Sequence, residues 1–204
     1  MPTSTPLRQL KKIRTREDLR QAALRLFAEQ GFEATTADDI AAAAGVSRRT
    51  FFRYFQNKEE AVFCQQRALM EKLAGNLAAP RDGGSDVRAV ERACLALADE
   101  YMRDRDAVVL TQQIIERSPV LIAADRTLDL AWEETIAQAL ARSTAAEVWR
   151  GRIIAGALTG AVRAALRLWL AGGATDDLRQ LGCEVFALLA RELAEAEATV
   201  LDQS

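Results

Sequence analysis

Apolar residues recur every three or four positions along most of the chain, a spacing that places them on one face of successive α-helices. The first such face comprises Leu19, Ala22, Ala23, Leu26 and Phe27. We expect this helix to begin at Thr15, whose side chain can cap it together with Asp18. Gly31 is placed to end the helix in the left-handed conformation, with Phe32 closing the core beneath it.

The second and third helices are predicted to be short and to be joined by a turn at Gly45. Thr36 with Asp39 repeats the capping pattern and opens the second helix. Gly45 ends that helix because the chain must reverse sharply before Ser47, which caps the third. The buried face of the second helix is predicted to comprise Ile40, Ala43 and Ala44.

The third helix mixes aromatic and cationic side chains. Phe51 and Phe55 are four residues apart and share the face that we expect to look inward, and Val46 can fix the angle of the helix through a hydrophobic staple with Phe51. The rest of the circumference carries Arg48, Arg49, Thr50, Phe52, Arg53 and Tyr54. Two short helices joined by a glycine-containing turn, with cations and hydroxyls outward on the second, are typical of a helix-turn-helix.

A fourth helix is predicted to open at a capping box formed by Asn57 and Glu60. Lys58 stands in its first turn, where a cation opposes the helix dipole. A phosphate docked at this N-terminus would favour both the lysine and the free backbone donors, whereas the alternative is an ordinary exposed lysine. Beside the preceding helix, the pattern favours the phosphate.

The rest of the chain shows the same helical spacing. A break is predicted at residues 78–86, AAPRDGGSD, and helix caps are predicted at Ser85, Ser118, Thr144 and Thr175. The fifth helix has the apolar stripe Val90, Cys94, Leu97, Ala98 and Tyr101. A long helix is predicted over 145–171, ended by Gly172 and Gly173, and a last helix over 176–198.

The composition agrees with a purely helical fold. The 204 residues, half of them hydrophobic, suffice for one or two domains with a sizeable core. Alanine and leucine dominate while β-branched residues are sparse, which favours helix. We therefore predict an all-α protein of about nine helices.

The residue types exclude several classes of chemistry. The chain contains no histidine, which rules out His-dependent triads, His general bases and His metal ligands. Its three cysteines, Cys64, Cys94 and Cys183, match no zinc spacing and cannot all pair, so we expect buried reduced thiols in a cytosol. No glycine-rich phosphate loop is present. We expect no enzyme, no metal site and no cofactor.

The sequence also favours a cytoplasmic location. No run of 18 apolar residues is present, so no membrane span is expected. The basic N-terminus lacks an apolar signal core, so secretion is not expected either.

Charge is distributed unevenly along the chain. Residues 1–58 hold eleven Lys or Arg and six Asp or Glu, a balance of +5, and because the whole chain carries −2 the remainder carries about −7. A basic front on an acidic body suggests that the front faces a polyanion. The alternative is a solvated surface with chance clustering.

Residues 15–62 resemble the DNA-binding domain of the tetracycline-repressor (TetR) family. The matching elements, in order, are LFAEQGFEATT, DDIAAAAGVS, TFFRYF and NKEE. The resemblance covers roughly a quarter of the chain. It implies a basic arm over 1–14, a helix-turn-helix domain over 15–62, and a helical domain over 63–204 that binds a ligand and dimerises.

The resemblance implies that the helix at 48–54 enters the major groove of a palindromic operator. The implied DNA contacts are Thr36, Ser47, Arg48, Arg49, Thr50, Phe52, Tyr54 and Lys58. Arg49 stands where the family often has glycine, so an additional base or phosphate contact is implied. Phe52 replaces the usual tyrosine and would contact a thymine methyl or a sugar, while Tyr54 would hold a phosphate. The basic arm would follow the DNA backbone or the minor groove; a disordered tail is the alternative.

For the remaining helices the resemblance implies a small-molecule effector and a homodimer. Candidate ligand residues are Tyr101, Gln112, Gln113, Trp132 and Arg163, with Trp149 and Trp169 as further wall residues. Core packing is the alternative for each tryptophan, and pairing with a neighbouring acid is the alternative for Arg163. The helices at 145–171 and 176–198 would form a four-helix interface with a second subunit, aided by Gly156 and Gly160.

The resemblance makes a ligand-responsive repressor the leading hypothesis. A helical adaptor that binds protein through the same basic surface is the alternative, because exposed aromatics with arginines also serve protein interfaces. Salt dependence separates the two, since DNA binding weakens steeply as salt rises.

Overall fold

The computed structural model describes residues 7–78, 86–141 and 145–202, and within these ranges it contains nine α-helices and no strand. This confirms the predicted all-α class. The helices are α1 (Leu7–Gln30), α2 (Ala37–Ala43), α3 (Arg48–Tyr54), α4 (Lys58–Ala78), α5 (Asp86–Arg103), α6 (Arg105–Glu116), α7 (Pro119–Leu140), α8 (Ala145–Ala171) and α9 (Leu178–Asp202).

The described chain divides into two compact units. The N-terminal unit contains the described residues up to Arg67 together with Leu110–Asp125, and the C-terminal unit contains Ala68–Val109 with the described residues from Arg126 onward. The helix-turn-helix elements therefore share a unit with the end of α6 and the start of α7.

The first helix begins earlier than the sequence predicted. α1 starts at Leu7, and Thr15 lies inside it with its hydroxyl donating to the carbonyl of Lys11 at 2.9 Å. The predicted cap at Thr15 is therefore wrong, because the preceding basic segment contains good helix formers and no breaker. The buried residues of this helix are Leu19, Arg20, Ala22, Ala23, Leu24 and Phe27, so the predicted face is confirmed except for Leu26, which is only half-buried.

Both glycine turns of the N-terminal unit adopt the left-handed conformation, as predicted for Gly31, and Gly45 makes the sharp reversal that was predicted for it. Gly31 has φ +89° and Gly45 has φ +67°. Phe32 is buried against Phe27, with ring centroids 5.1 Å apart, as predicted. In α2 the buried residues are Ile40 and Ala41 rather than Ala43 and Ala44, because so short a helix contacts the core over little more than one turn.

Two alanine substitutions separate backbone conformation from packing. Gly45→Ala is expected to lower the free energy of unfolding by about 1–2 kcal/mol, because a side chain in the left-handed region is strained although no atom lies within 4 Å of the added Cβ. Gly75→Ala, inside α4 with equally open surroundings, is expected to raise it by about 0.5–1 kcal/mol. Urea unfolding of both variants measures the two shifts, and shifts of the same sign would contradict the assignment.

Two apolar clusters form the core of the C-terminal unit. The larger comprises Leu69, Leu73, Leu77, Val90, Ala93, Leu97, Ile136, Ala137, Leu140, Ala155, Leu158 and Phe186. The smaller comprises Ala98, Val108, Trp169, Ala174 and Leu178. Of the predicted α5 stripe, Val90, Leu97 and Ala98 are buried and Cys94 and Tyr101 are partly buried. α9 packs against both α5 and α8.

The predicted caps have different outcomes. Ser118 caps α7, since its hydroxyl oxygen accepts from the amide of Leu121 at 3.4 Å. Thr175 does not cap α9; the carboxylate of Asp177 accepts from the amides of Arg179 and Gln180 instead, at 2.8 and 3.1 Å. α9 begins at Leu178, two residues later than the predicted 176, and its cap therefore lies two residues later as well. The predicted caps at Ser85 and Thr144 lie outside the described residues.

The long helix α8 has the predicted bounds of Ala145–Ala171. Among the described residues it contains one segment, Val148–Ala171, that is long and apolar enough to cross a membrane by length and composition alone. That criterion is also met by helices packed inside a bundle, and α8 contributes Ala155, Leu158 and Trp169 to the two clusters.

Candidate nucleic-acid interface

Side-chain caps fix the starts of the two short helices. Thr36 and Asp39 form a reciprocal capping box, in which the amide of Asp39 donates to the Thr36 hydroxyl at 3.2 Å and the amide of Thr36 donates to the Asp39 carboxylate at 2.9 Å. The Thr36 hydroxyl also donates to the Asp39 carboxylate at 2.6 Å, and this bond, followed by the one from the Thr36 amide, lowers the pKa of Asp39. The hydroxyl oxygen of Ser47 accepts from the amide of Thr50 at 3.2 Å. Both predicted caps are confirmed, and the orientation of α3 follows from them.

The inward face of α3 is aromatic, as the sequence predicted. Phe51 and Phe55 are almost completely buried, and their ring centroids lie 5.7 Å apart. Phe51 also meets Phe52 edge-on at 5.3 Å, and the guanidinium of Arg16 lies over the Phe55 ring at 5.6 Å. These contacts hold the helix by one side and leave the opposite side outward.

The outward face of α3 presents cations and one apolar ring. Arg48, Arg49, Phe52 and Arg53 are exposed, and Thr50 and Tyr54 are partly exposed. Arg48 forms an ion pair with Asp38 of α2 and lies over the Phe52 ring at 5.3 Å. Arg53 lies over the Tyr54 ring at 5.2 Å. Arg49 has no hydrogen bond or ion pair within the described part of the chain, so all its donors are available.

Lys58 directs its ammonium into the protein. The Nζ atom donates to the carbonyls of Phe32 at 2.6 Å, Thr35 at 3.0 Å and Glu33 at 3.3 Å, and it lies 4.2 Å from the centroid of the Phe32 ring. An ammonium has three donors, and these three carbonyls use them all. These contacts explain why a cation stands in the first turn of α4, where the sequence pattern favours a docked phosphate as the reason.

The start of α4 is otherwise close to its prediction. The amide of Glu60 donates to the Asn57 side chain at 2.8 Å, which confirms Asn57 as the cap. The returning bond differs, because the carboxylate of Glu60 accepts from the amide of Gln56 at 2.7 Å instead of that of Asn57.

A polar link that the sequence did not reveal joins the loop after α1 to the start of α7, inside the N-terminal unit. The hydroxyl of Ser118 donates to the carboxylate of Glu33 at 2.6 Å, and Ser118 is 1% exposed. This bond is the main cause of a lowered pKa of Glu33. The sequence predicted only that Ser118 caps a helix. It gave no indication of the bond to Glu33, because the two residues are far apart in the chain.

A buried cation ties α1 to α4 in the same unit. Arg20 makes a bidentate contact with Glu17, at 2.8 and 3.0 Å, and its guanidinium also reaches the side chain of Gln65 at 3.5 Å. The bond to Arg20 is the largest cause of a lowered pKa of Glu17. These contacts stabilise the framework that carries α3.

The candidate ligand residues fall in both units. Gln112 and Gln113 belong to the N-terminal unit, where the side-chain amide of Gln112 donates to the carboxylate of Glu116 at 2.9 Å. Tyr101 and Trp132 pack against the larger cluster of the C-terminal unit. The guanidinium of Arg163 donates to Asp129 at 2.7 Å, which is the ion-pair alternative that the sequence left open.

The other two tryptophans differ in environment. Trp169 is buried and donates its indole N–H to the carbonyl of Asp176 at 2.8 Å, so it is a core residue. Trp149 is 67% exposed on α8.

The cysteines show no arrangement that binds metal. No group of three His, Cys, Asp or Glu residues in the described part of the chain could hold a metal ion. Burial raises the pKa of Cys94 to about 12 and also raises the pKa of Cys64. Cys183, in α9, is exposed, so the prediction that all three thiols are buried is wrong for this residue.

Sequence comparison relates the chain to bacterial regulators. The sequence model of the family described as "Bacterial regulatory proteins, tetR family" matches residues 19–62. The chain is 30% identical over 184 residues to the HTH-type transcriptional regulator TcmR of Streptomyces glaucescens, an alignment that covers 86% of this chain and 81% of that protein. It is 30% identical over 157 residues to the HTH-type transcriptional repressor KstR2 of Rhodococcus jostii (strain RHA1), covering 76% of this chain and 72% of that protein.

Structural comparison agrees with this relationship. The crystal structure of Thermus thermophilus FadR, a repressor in complex with lauroyl-CoA, is 27% identical in sequence and has a TM-score of 0.53. The match covers 86% of this chain and 93% of that chain. The similarity therefore extends well beyond the helix-turn-helix elements.

Proposed function

Since the chain belongs to the tetR family of bacterial regulatory proteins and is a ligand-responsive DNA-binding transcriptional regulator, we propose that it is a homodimeric repressor that a small molecule releases from a palindromic operator. The observation that carries the proposal is the outward face of α3, where three arginines and an aromatic ring are exposed and two buried phenylalanines anchor the opposite side. A helix of this kind fits the major groove of DNA.

The proposed DNA contacts keep the residues expected from the sequence, with one change of role. Thr36, Ser47, Thr50 and Tyr54 supply hydroxyls for phosphates, and Arg48, Arg49 and Phe52 face the base edges. Lys58 acts mainly by holding the loop after α1 against the start of α4. The basic segment at residues 7–14 forms exposed first turns of α1 and is proposed to follow the DNA backbone.

Dimerisation is proposed to use α8 and α9. Four large apolar side chains of α8 are exposed in the single chain, namely Val148, Trp149, Ile153 and Leu168, and the last three share one side of the helix. A Cβ added at Gly160, on the same side of the helix, would meet no atom within 4 Å, whereas one at Gly156 would meet Glu133 of α7. A two-fold dimer sets two recognition helices about 34–36 Å apart and thereby reads a near-palindrome.

The proposed domain functions are those expected from the sequence: a basic arm over 1–14, DNA binding over 15–62, and effector binding and dimerisation over 63–204. Tyr101, Gln112, Gln113, Trp132 and Arg163 remain the candidate effector contacts, of which Tyr101 and Trp132 pack on one cluster. An effector acts by binding one conformation more tightly than the other. We place the protein in the cytoplasm with its operator and assign it no catalytic role.

A gel-shift assay with the full-length chain and the DNA upstream of its own coding region tests the proposal. We expect sequence-preferring binding that falls steeply between about 50 and 200 mM salt, because each phosphate contact releases counterions. Absence of any preferred duplex at low salt would overturn the proposal. Salt-insensitive binding to a protein partner instead would favour an adaptor.

A further inference from the structure

An acidic side chain stands beside the basic outward face of α3. Asp38, in the first turn of α2, forms an ion pair with the Nη1 atom of Arg48, and the Arg48 guanidinium also lies over the ring of Phe52 at 5.3 Å. Both charged side chains are more than half exposed. The three residues are called the Asp38–Arg48–Phe52 triad below.

The triad restrains a side chain that would otherwise sample many rotamers. Asp38 holds one amino group and the ring supports the guanidinium plane, so less conformational freedom is lost when the arginine binds. Within the described residues neither Nε nor Nη2 of Arg48 has a hydrogen-bond partner. The guanidinium therefore keeps donors for a second acceptor pair, such as O6 and N7 of guanine.

The position of Asp38 needs an explanation on electrostatic grounds. A carboxylate beside a polyanion lowers the attraction between protein and DNA, so for affinity alone a neutral residue would serve better at this site. The helix dipole favours a carboxylate in the first turn of α2, but it sets no direction for the side chain, and Asp38 does not cap α2 because Thr36 and Asp39 already form the capping box. A role in fixing the direction of Arg48 accounts for an acid at this place.

We propose that Asp38 is a positioning residue for base recognition, whose carboxylate holds the Arg48 guanidinium against the Phe52 ring so that its remaining donors face a guanine in the major groove. The inference rests on the proposed DNA-binding role of α3 and adds to it a residue of α2 that sets sequence preference. It also distinguishes the two neighbouring arginines, since the side chain of Arg48 is held by an ion pair and that of Arg49 is not held by one within the described residues.

The test uses the full-length chain and a pool of duplexes with a randomised centre, from which a preferred duplex is selected. Dissociation constants are then measured for that duplex, for its single base-pair variants and for a scrambled duplex. The proteins are the wild type, Asp38→Asn, Asp38→Ala, Arg48→Ala and the double variant Asp38→Ala/Arg48→Ala. Asp18→Asn, which removes an exposed negative charge from α1, is the matched charge control.

We expect the wild type to prefer guanine at one position of each half-site by about 5- to 100-fold, and Arg48→Ala to lose that preference. Asp38→Ala is expected to reduce the preference for guanine by about 2- to 5-fold, which is the range for an exposed ion pair, and Asp38→Asn is expected to reduce it by less. Affinity for the scrambled duplex should hold or rise in both variants. In the Arg48→Ala background, Asp38→Ala should change no base preference, and thermal midpoints should show that all variants fold.

Two results distinguish the inference from the proposed function. If the wild type prefers a duplex and Asp38→Ala shifts affinity equally for every duplex, as Asp18→Asn does, the positioning role is wrong while the DNA-binding role stands. If the wild type prefers no duplex at all, the proposed function fails and the inference fails with it.

Discussion

Replacing Lys58 with methionine is expected to lower the free energy of unfolding of the N-terminal unit by about 2–4 kcal/mol, because three carbonyls lose a charged donor and two of those bonds are partly buried. The contact with the Phe32 ring is lost as well. Methionine retains much of the length of the aliphatic stem, so the variant isolates the ammonium.

Native-state hydrogen exchange measures this effect where it occurs. The amides of the loop after α1 and of the first turn of α4 should exchange faster in the variant, in step with the global loss of stability. The control is Lys72→Met, whose exposed ammonium pairs with Glu100 at 2.9 Å, and for which a change below about 1 kcal/mol is expected. If Lys58→Met weakened DNA binding without changing stability, Lys58 would act on a phosphate and the internal role would be wrong.

Replacing Arg49 with alanine is expected to weaken binding to the preferred duplex by about 10-fold or more and to weaken it unequally across base-pair variants. The physical reason is that Arg49 is exposed and bonds to nothing else in the described part of the chain, so its guanidinium is available to a base edge. Competition titrations with single base-pair variants of the duplex measure the pattern of loss.

Arg8→Ala, in the exposed first turns of α1, is the control for a contact with the backbone. It should weaken all duplexes about equally and reduce the slope of affinity against salt by about one. Equal losses across all duplexes for both variants would remove Arg49 from the base-reading face.

Local features of the fold followed from the sequence because their causes are local. The caps at Thr36, Ser47 and Asn57 and the sharp turn at Gly45 each depend on residues within a few positions. The division of α3 into buried Phe51 and exposed neighbours followed from helical spacing.

Predictions from local sequence were wrong where more than one residue could begin a helix, and where the helix was very short. Thr15 had the form of a cap, yet good helix formers before it allowed α1 to continue to Leu7. Thr175 and Asp177 both offered a capping side chain, and the length of the turn selected Asp177. In α2 the spacing alone did not distinguish Ala41 from Ala43.

Long-range contacts of the candidate interface could not be predicted from one sequence. The bond from Ser118 to Glu33, the carbonyl contacts of Lys58 and the ion pair of Asp38 with Arg48 join residues that only tertiary packing brings together. The inclusion of Leu110–Asp125 in the N-terminal unit is of the same kind. The resemblance indicated which face of α3 to consider, and the structure added what holds each cation in place.

The central claim is that the outward face of α3 reads bases in the major groove. Methylation interference on the selected duplex tests it most directly, because dimethyl sulfate modifies guanine N7, the acceptor that an arginine would contact. With the full-length wild type, methylation of a guanine in each half-site should block binding. Binding by Arg49→Ala or Arg48→Ala should no longer be affected by methylation of the guanine that the missing arginine contacts in the wild type. Binding that tolerates N7 methylation at every guanine of the preferred duplex would contradict the account.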